Sequence, residues 1–207
     1  SPGSENLFIT GRAIERDLSM AVLMDVSLST DAAIGEHRVI DVEKAALLAL
    51  SQGLDACGDE HAIFTFTSRR RNDVRVDLVK DFYDPVDERL IRRIEGLKPG
   101  QYTRMGAAVR HVTAQLAQRP QRHRLLLLLT DGKPNDIDYY EGRYGIEDTR
   151  AAIREARKAG LKVFGVTVDE AARDYFPYLF GRGAYAIITH PERLPAALPA
   201  IYRQLVG

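Results

Sequence analysis

The chain has 207 residues, and its 29 Lys and Arg are balanced by 29 Asp and Glu, so the formal charge is zero. A chain of this length buries about 70 % of its extended surface and can hold one real core, and a hydrophobic fraction of 45 % argues against disorder of its body. Balanced charge removes the positive field that nucleic-acid binding wants, a single cysteine, Cys57, excludes an internal disulfide and thiolate-rich metal centres, and no apolar run has the length to span a bilayer.

The low cysteine usage suits a reducing compartment, and a cytoplasmic location is expected. Residues 1–15 read as a lead-in, with Ser1 to Gly3 resembling a cloning remnant. Residues 16–207 read as one domain, the C-terminal part of a longer protein. No composition break or repeat divides it.

Along the chain, apolar runs alternate with helical stretches. Leu18 to Met24 is nearly all apolar and predicts a strand buried on both faces, ending at Asp25. A loop through Gly35 follows. Val39 to Ala56 has helical periodicity, with Ala45, Leu47, Leu48, Leu50 and Leu54 on its apolar side, and Cys57-Gly58-Asp59 ends it. His61 to Thr67 predicts a second strand. After the polar turn Arg69 to Asp73, Val74 to Val79 alternates as a half-exposed strand, the antiparallel edge partner of the second.

A short helix is expected over Asp87 to Glu95 and another over Arg104 to Gln118, with a loop from Leu97 to Thr103 between them. Arg124 to Thr130 is the most apolar strand and reads as central. Asp131 to Tyr144 reads as a long polar loop, Glu147 to Ala159 as a helix and Leu161 to Thr167 as a strand. Asp169 to Phe180 reads as a helix interrupted at Pro177, with Tyr175, Phe176, Tyr178 and Phe180 as packing residues. Tyr185 to Ile188 is a last strand, and Glu192 to Leu205 a terminal helix bent or broken near Pro195 and Pro199. Cys57 reads as a small buried filler.

This order predicts an α/β fold: a three-layer Rossmann-like sandwich, its central sheet mostly parallel with one antiparallel edge strand. Such sheets bind ligands in the crevice beyond the carboxyl ends of their strands. Three polar clusters fall there. Asp25-Val26-Ser27-Leu28-Ser29 leaves a buried strand with three side-chain oxygens at alternate positions. Thr103 precedes a helix. Thr130-Asp131-Gly132 follows the central strand. A donor set of oxygens alone suits a hard divalent cation, Mg2+ first, then Mn2+ or Ca2+. Taken singly, each cluster reads first as a helix cap or turn.

Together, in this order, the three clusters resemble the metal-ion-dependent adhesion site of von Willebrand factor A domains. More closely, the chain resembles the C-terminal A domain of the NorD family of nitric oxide reductase activation proteins. The stretches that carry this likeness include Thr103-Arg104-Met105-Gly106, Lys133 to Asp138, Tyr140 to Arg150 and Phe176 to Gly181. The CbbO rubisco-activase adaptors share much of the pattern. The resemblance implies that Ser27, Ser29 and Thr103 ligate the ion directly, with Asp25 and Asp131 acting through water. An acidic side chain from a partner would complete the shell. It further implies a non-catalytic adaptor that pairs with a MoxR-type AAA+ ATPase of the NorQ kind and acts on the nitric oxide reductase complex, without entering the membrane itself.

Other readings meet the same residues. An Asp-x-Asp phosphotransferase element is absent because Ser27 holds the third position, yet a magnesium-dependent phosphohydrolase stays as an alternative, as does a rubisco-activase adaptor. No dinucleotide-binding glycine turn, P-loop or serine-nucleophile elbow is present. Arg69-Arg70-Arg71 reads as a solvated turn. Arg104 follows Thr103 and is available to pair with Asp131, Asp136 or an incoming carboxylate. The segment Lys133 to Tyr144 borders the cation face, and Asp136, Asp138, Tyr139, Tyr140 and Arg143 join Arg104 as candidate partner-binding residues.

Overall fold

Residues 17–25, 33–34, 37–70, 73–98, 105–130 and 139–206 are described by a computed structural model of the chain. Its strands are β1 (Leu18–Asp25), β2 (Ala33–Ile34), β3 (His37–Arg38), β4 (His61–Arg70), β5 (Asp73–Lys80), β6 (His123–Thr130), β7 (Lys162–Thr167) and β8 (Tyr185–Ile187). Its helices are α1 (Val39–Ala56), α2 (Glu88–Glu95), α3 (Met105–Ala117), α4 (Tyr139–Lys158), α5 (Phe176–Phe180) and α6 (Leu194–Val206).

Six strands form one sheet in the order β5-β4-β1-β6-β7-β8. Every pairing is parallel except β4 with the edge strand β5. The apolar runs of β1 and β6 lie side by side at the centre, where both faces are covered. Alternation decides which face each residue serves. Met20, Val22 and Met24 join Leu47, Leu50, Leu90, Leu198 and Tyr202 in a core under α1, α2 and α6. Ala21 and Leu23 join Val109, Val112, Ile153, Phe176 and Phe180 under α3, α4 and α5. Three layers follow, as the sequence predicts.

The edge strand shows its half-exposed pattern. Arg75 Nε donates to Asp77 Oδ1 at 2.8 Å, both side chains largely in solvent, which puts charge where another strand would otherwise add. Asp87 caps α2 by accepting from the Leu90 N–H at 3.1 Å.

Several expectations are corrected. The loop after β1 carries a short β2–β3 ribbon. Residues 139–144 belong to α4, which starts eight residues before the expected Glu147. Pro177 does not interrupt a helix: a 3-10 turn over Glu170–Asp174 comes first, and Pro177 sits in the first turn of α5, where its missing N–H costs nothing. Helix α6 runs unbroken through Pro199. Pro195 lies in its first turn, and Leu194, Leu198 and Tyr202, all buried, hold it to the sheet. Cys57 is exposed rather than a buried filler, because the chain turns outward at Gly58 with φ of 73°. Tyr178 is 43 % exposed, unlike Phe176 and Phe180. Along α1 the buried stripe is Val39, Ile40, Glu43, Ala46, Leu47, Leu50, Ser51 and Leu54; Ala45 lies on the outer side and Leu48 is half-buried.

Candidate functional site

Asp25 ends β1 and Thr130 ends β6. These are neighbouring parallel strands whose register pairs Met24 with Leu129, so the two side chains emerge together at the carboxyl edge of the sheet centre. Both are buried, at 0 % and 1 % exposure. Thr130 Oγ1 donates to Asp25 Oδ2 at 3.0 Å, and each residue makes further interactions besides. A buried carboxylate keeps its charge only with such donors around it. The hydroxyl therefore fixes the orientation of Asp25, the first carboxylate of the expected cation site.

The helix that follows the second cluster in sequence, α3, has its start toward the same edge. Just beyond α3, Arg119 donates to Ser19 Oγ at 3.3 Å and pairs with Glu60 at 2.5 Å. Those residues sit at the amino ends of β1 and β4. The end of α3 therefore lies at the amino edge, and its start, Met105, lies toward the carboxyl edge. Thr103 precedes that start by two residues in sequence.

Ser27, Ser29, Thr103, Arg104, Asp131, Asp136 and Asp138 lie outside the described residues. Tyr139, Tyr140 and Arg143 fall in the first turns of α4. Among the described residues no group of three or more His, Cys, Asp or Glu gathers as a metal cluster. Of the expected donor set only Asp25 is among the described residues; it is a carboxylate buried in the crevice beside the Thr130 hydroxyl, and oxygen donors of this kind suit a hard divalent cation.

Two nearby features escape a reading of the sequence. Glu43 is fully buried on the sheet-facing stripe of α1, in a position that hydropathy scores as a solvated charge. Its signal is its spacing from Val39, Ile40, Ala46 and Leu47. The second is the joint between α3 and α4. Arg110 Nη1 donates to Asp148 Oδ1 and its Nε to Glu155 Oε2, both at 2.9 Å. These bonds hold the guanidinium pKa above its usual range despite partial burial. At Gly106 a Cβ would collide with the Asp148 carboxylate, so glycine lets the helices meet there with that side chain in place.

At the opposite, amino edge, Ser51 Oγ lies 2.6 Å from His61 Nε2, and His61 Nδ1 lies 3.1 Å from the Asp59 carbonyl. The spacing resembles a nucleophile and its base. Yet Ser51 is 1 % and His61 2 % exposed, and burial, followed by the charge of Lys80, lowers the His61 pKa to about 4. Lys80 Nζ donates to the His61 carbonyl at 2.7 Å and the Asp81 carbonyl at 3.0 Å, and Tyr202 donates to Asp59. This network ties α1 and α6 to β4 and β5 and offers a substrate no approach.

Among the described residues no helix is long and apolar enough to cross a membrane. Over 205 residues, 99 % of the chain, it is 57 % identical to Protein NorD of Brucella melitensis. It is 50 % identical to Protein NorD of Stutzerimonas stutzeri over 90 % of its length. The chain spans about a third of each relative, 32 % and 31 %. A solved structure titled von Willebrand factor type A from Catenulispora acidiphila superposes with a TM-score of 0.61 at 17 % identity, covering 93 % of this chain and 43 % of that one. The family model described as von Willebrand factor type A domain matches residues 20–133. With its antiparallel-edged parallel sheet and a buried Asp–Thr pair at the carboxyl edge, the chain belongs to the von Willebrand factor type A domain family.

Proposed function

We propose that this domain is a metal-dependent protein-recognition module, non-catalytic itself, that adapts a substrate to a MoxR-type AAA+ ATPase of the NorQ kind during activation of nitric oxide reductase. The observation that carries the reading is the buried Asp25–Thr130 pair at the centre of the carboxyl edge, in a chain 57 % identical to a protein named NorD. In this reading Ser27, Ser29 and Thr103 hold a Mg2+ ion directly, and Asp25 and Asp131 orient its water. The ion supplies a Lewis-acidic point that takes a carboxylate from the partner. With few carboxylates of its own, the site leaves the cation net charge to attract one. Arg104, Asp136, Asp138, Tyr139, Tyr140 and Arg143 surround that contact and select the partner. The chemistry of ATP hydrolysis belongs to the ATPase.

The test is capture of the ATPase and the reductase by the intact protein, with and without a chelator, and with Asp131→Ala. The expected result is loss of capture in both cases while the circular dichroism of the domain is unchanged. Capture that survives chelator and substitution alike overturns the metal-centred reading. Mg2+-dependent turnover of phosphate esters by the purified protein would replace it with a hydrolase.

A further inference from the structure

Helices α3 and α4 touch between the first turn of α3, at Gly106, and the middle of α4, at Asp148. Helix α3 starts at Met105, two residues beyond Thr103, and α4 opens with Tyr139, Tyr140 and Arg143. Their contact is close at Gly106, where a Cβ would also come within 3.2 Å of the Asp148 backbone oxygen. The Asp148 carboxylate lies against the first turn of α3 with Oδ2 and, through Oδ1, accepts from Arg110 one turn further along. Arg110 in turn reaches Glu155 on α4. One guanidinium therefore joins two turns of α4 to α3, and one carboxylate bears on the helix start that follows Thr103.

The side chains of Arg110, Asp148 and Glu155 are 38 %, 35 % and 57 % exposed. Pairs this open to water add little to global stability. A planar guanidinium held by two carboxylates nonetheless fixes direction well. The apolar contacts of Ala108, Val109 and Val112 with Ala152, Ile153 and Ala156 hold the helices together, but such faces can slide. The ion triad adds a directional tie between them.

We propose that Asp148, held by Arg110, is a positioning residue that fixes the start of α3 against α4 and so couples cation binding through Thr103 to the placement of Tyr139, Tyr140 and Arg143. This rests on the metal-dependent reading of the site. Groups that orient ligands from behind typically change metal affinity by 10- to 100-fold when removed. Asp148 would act this way on Thr103 through the backbone of α3.

The experiment is titration of Mn2+ into the intact protein, following free Mn2+ by electron paramagnetic resonance, with partner capture at saturating Mn2+ as a second readout. Asp148→Asn and Arg110→Gln are each expected to weaken Mn2+ binding about tenfold, and the double variant no more than either alone. Glu147→Gln removes the same charge from the neighbouring position. Its carboxylate accepts from Tyr178 Oη at 2.6 Å and not from α3, so its Mn2+ affinity should match the wild type. Reduced partner capture by Asp148→Asn even at saturating Mn2+ would show the coupling to α4. Wild-type Mn2+ affinity in both Asp148→Asn and Arg110→Gln, whatever their thermal stability, overturns this inference alone. Absence of Mn2+ binding by the wild-type protein overturns the metal reading and the inference with it.

Discussion

Thr130→Val keeps the branched shape of the side chain and removes its hydroxyl. That hydroxyl donates to Asp25 across 3.0 Å between residues 1 % and 0 % exposed, so bulk water cannot take its place. A hydrogen bond to a charged group contributes about 1.5–3 kcal/mol. A net loss of about 2 kcal/mol is expected, which in a chain of this size lowers Tm by about 4–8 °C. Thr130→Ser keeps the donor and loses one buried methyl, a penalty of about 1 kcal/mol. Urea denaturation and calorimetry of both variants, in chelator and in excess Mg2+, separate the two contributions. In the proposed site Asp25, without this donor, should also orient the cation's water less well, so the stabilisation expected from Mg2+ should shrink in Thr130→Val and persist in Thr130→Ser. Equal stability of Thr130→Val and wild type, or equal losses in both variants, would refute the reasoning.

Two further predictions concern the frame around the site. His61 binds its proton at about pH 4 when folded, against 6.5 for the free group, so between those values the unfolded chain takes up a proton the native state refuses. Stability should therefore fall as pH drops from 6.5 toward 4, by at most about 1.4 kcal/mol per pH unit and about 3 kcal/mol in all; urea midpoints against pH should show this slope in the wild type and a shallower one in His61→Gln, and parallel slopes contradict the assignment. At Gly165, in β7, a Cβ would collide with the Phe180 ring. Gly165→Ala should thus cost about 1–3 kcal/mol in the same urea assay, and a variant as stable as the wild type would show that α5 yields easily.

The sheet was the most legible part of the sequence because its strands carry near-pure signals. Leu125 to Leu129 and Met20 to Met24 are buried on both faces, so every residue reports the same environment. The alternation of Val74 to Val79 reported an edge for the complementary reason. Helix α4 is hard to place at its start because its early described positions are mostly open to water: Tyr144 is 66 % exposed, and burial begins at Thr149, Ala152 and Ile153. A polar helix turn and a polar loop have the same hydropathy. Pro199 reads as a bend or a break because propensity weighs a missing N–H and not the apolar stripe on either side, which keeps the helix continuous here.

The candidate site was legible as a pattern and not as a geometry. The sequence marks Asp25 and the threonine after the central strand as strand-end oxygens. It cannot say that they bond to each other, since that depends on β1 and β6 being neighbours across 105 positions of sequence. Glu43 and Asp148 were missed for one shared reason. A carboxylate on a helix reads as solvated until its neighbours in space are known, and those neighbours come from other elements.

At the centre of the proposed function is one hard cation held by oxygens from three separated loops. Equilibrium dialysis of Mn2+ against the intact protein, together with the proposed ATPase and reductase partners, tests this most directly. The prediction is one ion per chain, saturable, displaced by Mg2+, and lost in a Ser27→Ala/Thr103→Ala double variant whose circular dichroism matches the wild type. No saturable uptake, or uptake unchanged in that variant, would contradict it.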